Sequence, residues 1–164
     1  MHSKPVTMNV EFINPFIGAV IETMRLQCSI QITLAVACLR KNFKGDYPVD
    51  IMGVIGLTSS SFTGSIALCF PATTFLSIME KMLGEKFPTI TEEVKDGAAE
   101  LLNIVFGMAK SKLNAVNHHI AQALPAVIHG DEIGRKQMSS EATIVLPFSS
   151  EAGLLHLEIG LNRP

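Results

Sequence analysis

The chain has 164 residues, of which 48% are hydrophobic and 17% are charged, and its formal net charge is −2. This length suits one domain, residues 1–164, that can bury a core without disulfides or a structural metal. The chain carries no run of Lys and Arg, so the clustered positive charge that nucleic acid or an anionic membrane requires is lacking, and we expect neither as a partner. With so few charged residues, we expect an apolar surface and self-association.

The cysteines Cys28, Cys38 and Cys69 are odd in number, lie far apart and form no C-x-x-C pair. They predict neither a disulfide framework nor a zinc site, and we interpret them as buried thiols in a reducing cytoplasm. The N-terminus has no basic segment followed by an apolar stretch and a cleavage site, and no apolar run reaches the roughly 18 residues that span a bilayer. These patterns predict a soluble, cytoplasmic protein.

The first half of the chain predicts one helix and three strands. Residues 1–8 carry no periodic pattern and are expected to fray or to extend an edge strand. An Asn-Pro pair, typical of a helix start, predicts a helix over 14–27. Alternating apolar residues predict a half-buried strand over 29–39, and the runs 51–58 and 64–70 predict an antiparallel hairpin.

The second half repeats this order after a middle helix. That helix is predicted over 72–83, with a glycine at the usual stop position. A long helix follows over 91–116, and either Thr91 caps it or Thr89 and Glu92 form a capping box.

Three strands complete the chain. A short strand over 124–129 contains Pro125, which indicates a sheet edge or a bulge. Further alternating runs predict strands over 140–148 and 154–161, joined by a tight turn. The whole order predicts an α+β domain of two pseudo-repeated halves, each a helix plus three strands, with a middle helix between them. We expect a largely antiparallel sheet covered by helices on one face.

The long helix has two faces at 100° per residue. The apolar face comprises Ala98, Leu101, Leu102, Val105, Met108, Ala109, Leu113 and Val116. The opposite face, here called the polar stripe, comprises Asp96, Glu100, Asn103, Gly107, Lys110 and Asn114. An acid and an amide three residues apart, with glycine one turn later, form a surface that another protein's backbone could approach. A plain solvated face remains the alternative, and it is the favoured interpretation for Lys110 and Asn114.

Other chemically capable residues form no recognisable site. His118 and His119 are adjacent, so on a helix they point about 100° apart, and no nearby Cys or second carboxylate completes a metal site. His129 and His156 are lone histidines in strand patterns. The serines at 59–61 match neither a nucleophile elbow nor a phosphate-binding loop.

The element order and several motifs resemble the CheC/CheX/FliY family of response-regulator phosphatases, and the CheX branch most closely. The resemblance covers residues 8–161 and is carried by four motifs. The first is the helix motif Asp96-x-x-x-Glu100-x-x-Asn103, and the second is the pair of strands before it, Val54-Ile55-Gly56-Leu57-Thr58 and Gly64-Ser65-Ile66. The third runs from Asn14-Pro15 through Glu22-Thr23-Met24-Arg25, and the fourth is Pro125-x-x-x-x-Gly130. If the halves align, Glu22 corresponds to Glu100 and Arg25 to Asn103, and arginine in place of the amide argues against a second active site.

The resemblance implies hydrolysis of the phosphoaspartate of a phosphorylated CheY-like response regulator. Glu100 and Asn103 would be the catalytic pair, with Glu100 pairing with the receiver's active-site lysine and Asn103 steering a water molecule. Asp96, Gly107 and Lys110 would contact the partner. The chain would need no cofactor and no metal of its own, because the receiver brings Mg²⁺ to its phosphoaspartate.

The fold and the composition lead to two further expectations, an alternative function and a homodimer. The fold also occurs in flagellar switch proteins, so a non-catalytic binding or assembly module is the alternative function. The strand over 29–39 has an edge without obvious protection, and together with the apolar composition it predicts a homodimer through sheet edges.

Overall fold

A computed structural model describes residues 10–45, 47–59, 63–115, 120–122, 125–130 and 143–162. It contains three long helices, one short 3-10 helix over Arg40–Asn42 and eight strand segments within those ranges. In chain order they are α1 Val10–Cys28, β1 Ile32–Leu34, β2 Cys38–Leu39, β3 Ile51–Thr58, β4 Thr63–Phe70, α2 Ala72–Leu83, α3 Glu92–Ala115, β5 Ala121–Gln122, β6 Ala126–His129, β7 Ile144–Ser150 and β8 Gly153–Asn162.

All the described strands form one sheet, and each described pairing is antiparallel. The hairpins β3–β4 and β7–β8 meet at the centre, where β4 pairs with β8 and Ile66 lies opposite Ile159. The outer segments are exchanged between the halves: β1 and β2 pair with β7, whereas β5 and β6 pair with β3. The predicted α+β fold of two pseudo-repeated halves around a middle helix is confirmed.

The main core lies between the helices and one face of the sheet. On β3, the alternate residues Ile51, Ile55 and Leu57 are fully buried in this core, as the period of two requires. Gly53 shares their face, and a Cβ there would lie 3.1 Å from the backbone oxygen of Ala98. Glycine therefore lets α3 rest directly on β3, which fixes the position of the helix that carries the polar stripe.

The helix predictions are confirmed for α2 and α3 and corrected for α1. Gly84 ends α2 in the left-handed conformation with φ of 72°, and Thr91 caps α3, since its Oγ1 accepts a hydrogen bond from Val94 N at 3.3 Å. The predicted start at Asn14 is wrong, because α1 begins at Val10 and includes Pro15 in its second turn. Phe12, in this first part of the helix, is buried. Pro15 lies beyond the first four N–H groups of α1, so it leaves the Glu11 carbonyl oxygen without the N–H that a helix would otherwise supply.

The predicted continuous strand over 29–39 is wrong because it breaks into β1 and β2. Leu34 pairs with Phe148 and Cys38 pairs with Val145, so three residues on this edge face two on β7. Pro147 lies at the break, and its carbonyl oxygen accepts a hydrogen bond from Ala35 N at 2.8 Å, while proline has no N–H to return. The bulge turns the side chain of Val36 outward, where it is 84% exposed.

The C-terminal strands follow the predictions with shifted ends. β6 pairs with β3 at the sheet edge, as Pro125 indicated, and β7 and β8 form the expected last hairpin. β5, which also pairs with β3, was not predicted. The expectations for residues 1–8, Val116 and 140–142 lie outside the described residues. None of the helices in the described ranges has an apolar stretch sufficient to cross a bilayer.

Candidate functional site

The two predicted faces of α3 are present. Its buried residues are Val94, Gly97, Ala98, Leu101, Leu102, Val105, Phe106, Ala109 and Leu113. This set adds Val94, Gly97 and Phe106 to the predicted apolar face, and Met108 is only half-buried. The buried face anchors α3 on the sheet and turns the polar stripe away from it.

The predicted site residues lie together on the outer side of α3. Asp96, Glu100, Asn103 and Gly107 are exposed, and Lys110 is half-buried. Residues three or four apart on a helix are surface neighbours with Cβ atoms about 5–6 Å apart, so Glu100 and Asn103 are adjacent. Within the described part of the chain, neither side chain makes a hydrogen bond or ion pair, so both are available to an incoming molecule.

Asn114, at the end of the stripe, has a structural role. Its Oδ1 accepts a hydrogen bond from Ile120 N at 3.2 Å and so links the end of α3 to the residue just before β5. The amide of Asn103, by contrast, keeps both its donor and its acceptor free within the described structure.

The equivalent positions on α1 carry different chemistry. Arg25 donates hydrogen bonds from its guanidinium to the Glu22 carboxylate, and the two exposed side chains form an ion pair. The hydrogen bond from Arg25 lowers the pKa of the Glu22 carboxyl, with a smaller contribution from Lys112. An acid already paired with arginine, and arginine at the position equivalent to Asn103, make this pair unlike Glu100 and Asn103 on α3.

The helix α1 also supports α3 directly. The Thr23 hydroxyl donates to the Met108 thioether sulfur at 3.7 Å, and a Cβ at Gly18 would lie 3.6 Å from Lys112 Nζ. The two helices therefore pack in antiparallel directions, and α3 is held by both α1 and the sheet.

Of the four histidines discussed above, the structure describes two, His129 and His156. His118 and His119 lie outside the described residues, and His129 is exposed at the end of β6. The interpretation of His156 as a lone histidine is wrong, because it is buried and hydrogen-bonded to other polar side chains. Its Nδ1 shares a hydrogen bond of 2.7 Å with the Tyr47 hydroxyl, and its Nε2 lies 3.3 Å from Glu158 Oε1.

Arg40 and Cys69 also belong to this group of polar side chains around His156, which the sequence analysis missed. Arg40 forms an ion pair with Glu158, and Cys69 lies opposite His156 across the β4–β8 pairing. Burial, and then the Glu158 carboxylate, raise the pKa of the Cys69 thiol well above its usual range. The available signal was the polar pair His156 and Glu158 at alternate positions of a strand, but their partners are distant in sequence.

All three cysteines are free thiols; Cys28 and Cys69 are buried, and Cys38 is half-buried.

Comparisons with known proteins agree with this architecture. Residues 51–149 match the family model described as chemotaxis phosphatase CheX. The chain is 27% identical over 156 residues to a protein of Thermotoga maritima named CheY-P phosphatase CheX, covering 93% of this chain and 97% of that protein.

Two solved structures show the same fold. A CheC-like superfamily protein from Shewanella sp. PV-4 has 32% identity and a TM-score of 0.82, with 94% of this chain and 99% of that chain covered. A CheX–CheY–BeF3–Mg²⁺ complex from Borrelia burgdorferi has 23% identity and a TM-score of 0.78, with 94% of this chain and 100% of that chain covered.

The family match spans the central hairpin, the helix with the polar stripe and most of β7, which is more than half of the chain. The chain belongs to the chemotaxis phosphatase CheX family.

Proposed function

We propose that this protein is a phosphatase that hydrolyses the phosphoaspartate of a CheY-like response regulator and so ends its signal. The observation that carries the proposal is the exposed, unpaired Glu100 and Asn103 on a helix whose opposite face is fixed to the sheet. Membership of the CheX family and the name of the Thermotoga maritima relative support the substrate class. A receiver of this kind works in the cytoplasm, and we place the protein there.

The reaction needs little covalent chemistry from the chain. An acyl phosphate is a reactive mixed anhydride, and its hydrolysis passes through a loose, in-line transition state, so positioning of water is the main requirement. The Asn103 amide has a donor and an acceptor, so it can hold the attacking water in line, as a glutamine does in GTPases. Asn103 thus acts as a positioning group for the water and does not remove its proton.

Glu100 fixes the docking position. A carboxylate on this surface can accept a charge-assisted hydrogen bond from the lysine beside the receiver's phosphoaspartate. Asp96 adds negative charge one turn before it, and Lys110 contacts the partner one turn beyond Gly107. The Mg²⁺ of the reaction belongs to the receiver in this proposal, and the Borrelia burgdorferi complex, which contains CheY, BeF3 and Mg²⁺, supports that assignment.

The direct test is the rate at which a phosphorylated receiver loses phosphate, measured with and without this protein. Candidate receivers are those encoded in the same genome, each phosphorylated with a small-molecule phosphodonor. Acceleration of at least one receiver is the expected result. Normal binding with no acceleration of any of them would contradict the proposal and favour the alternative, a non-catalytic assembly module.

Gly107 provides a test of the docking surface that is separate from the chemistry. A Cβ at this position would meet nothing within 4 Å, so the packing of this chain does not require glycine. Glycine in a helix costs roughly 0.5–1 kcal/mol relative to alanine. We therefore expect Gly107→Ala to raise the free energy of unfolding by about that amount and to weaken binding to a BeF3-loaded receiver, because the methyl group occupies space used by the partner.

Gly97→Ala is the matched control for this prediction. Gly97 lies on the same helix but is buried, and a Cβ there would collide with the Met79 side chain. The thioether end of the buried Met79 must move to admit this methyl group, so the variant should show less of the stability gain in urea unfolding than Gly107→Ala, and it should keep its receiver affinity. Unchanged affinity of Gly107→Ala, measured by titration calorimetry, would remove Gly107 from the docking surface.

We also propose a homodimer through the edge formed by β1 and β2. The exposed side chains of Val36 and Leu39 lie along this edge, and free strand edges pair readily with a second copy. Light scattering at micromolar concentration should give the mass of a dimer. A monomeric mass would rule out this assembly and leave the phosphatase proposal untouched.

A further inference from the structure

The sheet has a second, smaller buried layer on the face turned away from the helices. Met52, Ala67, Cys69 and Ile128 form its apolar part. The segment after β2 crosses this face, and the Phe43 and Tyr47 rings lie 5.0 and 5.7 Å from the His156 ring. The polar side chains in this layer take no part in the proposed phosphatase reaction, which occurs on the opposite side of the molecule.

Strand register brings three potential metal ligands together in this layer. Cys69 on β4 lies directly opposite His156 on β8, and Glu158 follows two residues later on the same face. One ligand atom from each residue lies within 4.8 Å of the other two. The exposed fractions are 0% for Cys69, 2% for His156 and 3% for Glu158, so all three are removed from solvent.

One carboxylate oxygen of this cluster has no hydrogen-bond partner. Glu158 Oε1 accepts a hydrogen bond from Arg40 and lies 3.3 Å from His156 Nε2. Oε2 is fully buried and is one of only two such side-chain oxygens or nitrogens without a partner in the described ranges. A buried, unpaired carboxylate oxygen is costly, and a bound cation would remove that cost.

We propose that Cys69, His156 and Glu158 bind a zinc ion on the sheet face opposite the helices. The ligands are Cys69 Sγ, His156 Nε2 and Glu158 Oε2. A thiolate, an imidazole and a carboxylate suit Zn²⁺, whereas Mg²⁺ and Ca²⁺ prefer oxygen ligands alone. Three protein ligands leave the fourth tetrahedral position to a water molecule.

The surrounding groups fit this role. With Nε2 on the metal, the His156 Nδ1–H donates to the Tyr47 hydroxyl at 2.7 Å, the kind of outer contact that fixes a ligand imidazole. Arg40 stays on Glu158 Oε1. As the Zn–S bond forms, the Cys69 thiol releases its proton to solvent, and no electrons are transferred. The ion then ties β4 to β8 and, through Tyr47, holds the segment that crosses this face.

Cobalt substitution tests the proposal on the full-length, tag-free protein after chelation of any bound metal. Co²⁺ should produce a thiolate-to-cobalt charge-transfer band together with the visible bands of a tetrahedral site, and Zn²⁺ should displace it. Cys69→Ser should abolish the charge-transfer band. Cys28→Ser and Cys38→Ser are the matched controls and should retain it.

Affinity measurements distinguish the outer contact from the ligands. Tyr47→Phe should keep the charge-transfer band and weaken Zn²⁺ binding roughly 10-fold to 100-fold. His156→Gln should weaken Zn²⁺ binding at least as much. If circular dichroism shows that Cys69→Ser is unfolded, His156→Gln takes its place as the ligand variant. Zn²⁺ should also raise the Tm of the native protein, since it binds only the folded state.

Two results would overturn the proposal. One is a native protein without the charge-transfer band and without a Tm increase in Zn²⁺. The other is a folded Cys69→Ser or His156→Gln variant that binds Co²⁺ as the native protein does, since the metal would then lie elsewhere.

Discussion

Asn103→Ala is expected to lower the rate of receiver dephosphorylation by about 10², which corresponds to about 2.7 kcal/mol of transition-state stabilisation. The side chain is exposed and makes no described contact within the chain, so its removal should leave the fold unchanged. Because the amide acts on the water and not on docking, binding to a BeF3-loaded receiver should persist. The loss should therefore appear in kcat and leave KM close to the native value.

Two comparison variants sharpen this result. Asn42→Ala removes an exposed amide from the short 3-10 helix and should match the native protein in every assay. Glu100→Ala should weaken binding itself, with an affinity less sensitive to salt than that of the native protein, because a docking charge is lost. If Asn103→Ala and Glu100→Ala both dephosphorylate the receiver at the native rate, the polar stripe is only a solvated face.

Phe106→Ala is expected to cause the largest loss of stability among these changes, about 3–5 kcal/mol in the free energy of unfolding. Phe106 is fully buried on α3, next to the exposed stripe and within the main core. Truncation removes the transfer free energy of the ring and leaves a cavity that the close-packed surroundings cannot fully close. A loss of this size is a large fraction of the stability of a typical domain.

Phe87→Ala provides the matched comparison. Phe87 is only partly buried at the periphery of the same core, so its truncation should cost clearly less. Urea unfolding followed by circular dichroism gives both values. Equal losses for the two variants, or a loss below about 1 kcal/mol for Phe106→Ala, would contradict the burial described for this helix face.

The sequence predicted the elements whose pattern is local and strong. The hairpin of β3 and β4, the middle helix and the stripe on α3 each depend on a regular period and on a stop or cap that lies within the element. The same reasoning placed Glu100 and Asn103 on one exposed surface. Their catalytic role stays a prediction, since exposure alone does not distinguish a working pair from a solvated one.

The failures arose where a distant residue decides the local structure. The break between β1 and β2 depends on Pro147, which reaches this edge only after the sheet has formed. In α1 the helix includes Phe12, which is buried in the core, ahead of the Asn-Pro pair that predicted the start. The bounds of α2 were predicted correctly, although Asp50 Oδ2, which accepts a hydrogen bond from Ala72 N at 2.7 Å, lies a whole hairpin earlier in the chain.

The cluster on the far sheet face shows the same limit for a candidate site. More than half of the chain separates Cys69 from His156 and Glu158, so no short motif links them. Only the pairing of β4 with β8 makes them neighbours. A search for ligand spacing in sequence detects sites within one or two elements and misses those that strand register creates.

The exchange of outer strands between the halves has a consequence for how the chain folds. β1 needs β7, and β4 needs β8, so the N-terminal half cannot complete its part of the sheet until the last hairpin has been synthesised. Such long-range pairings give a high contact order, and folding of mixed or sheet-rich domains of this kind is slow compared with helical bundles. While the chain is still on the ribosome, β4 therefore presents an unpaired, apolar edge that is open to aggregation. We infer that the two halves fold as one cooperative unit after synthesis, and that neither half is stable as a separate fragment.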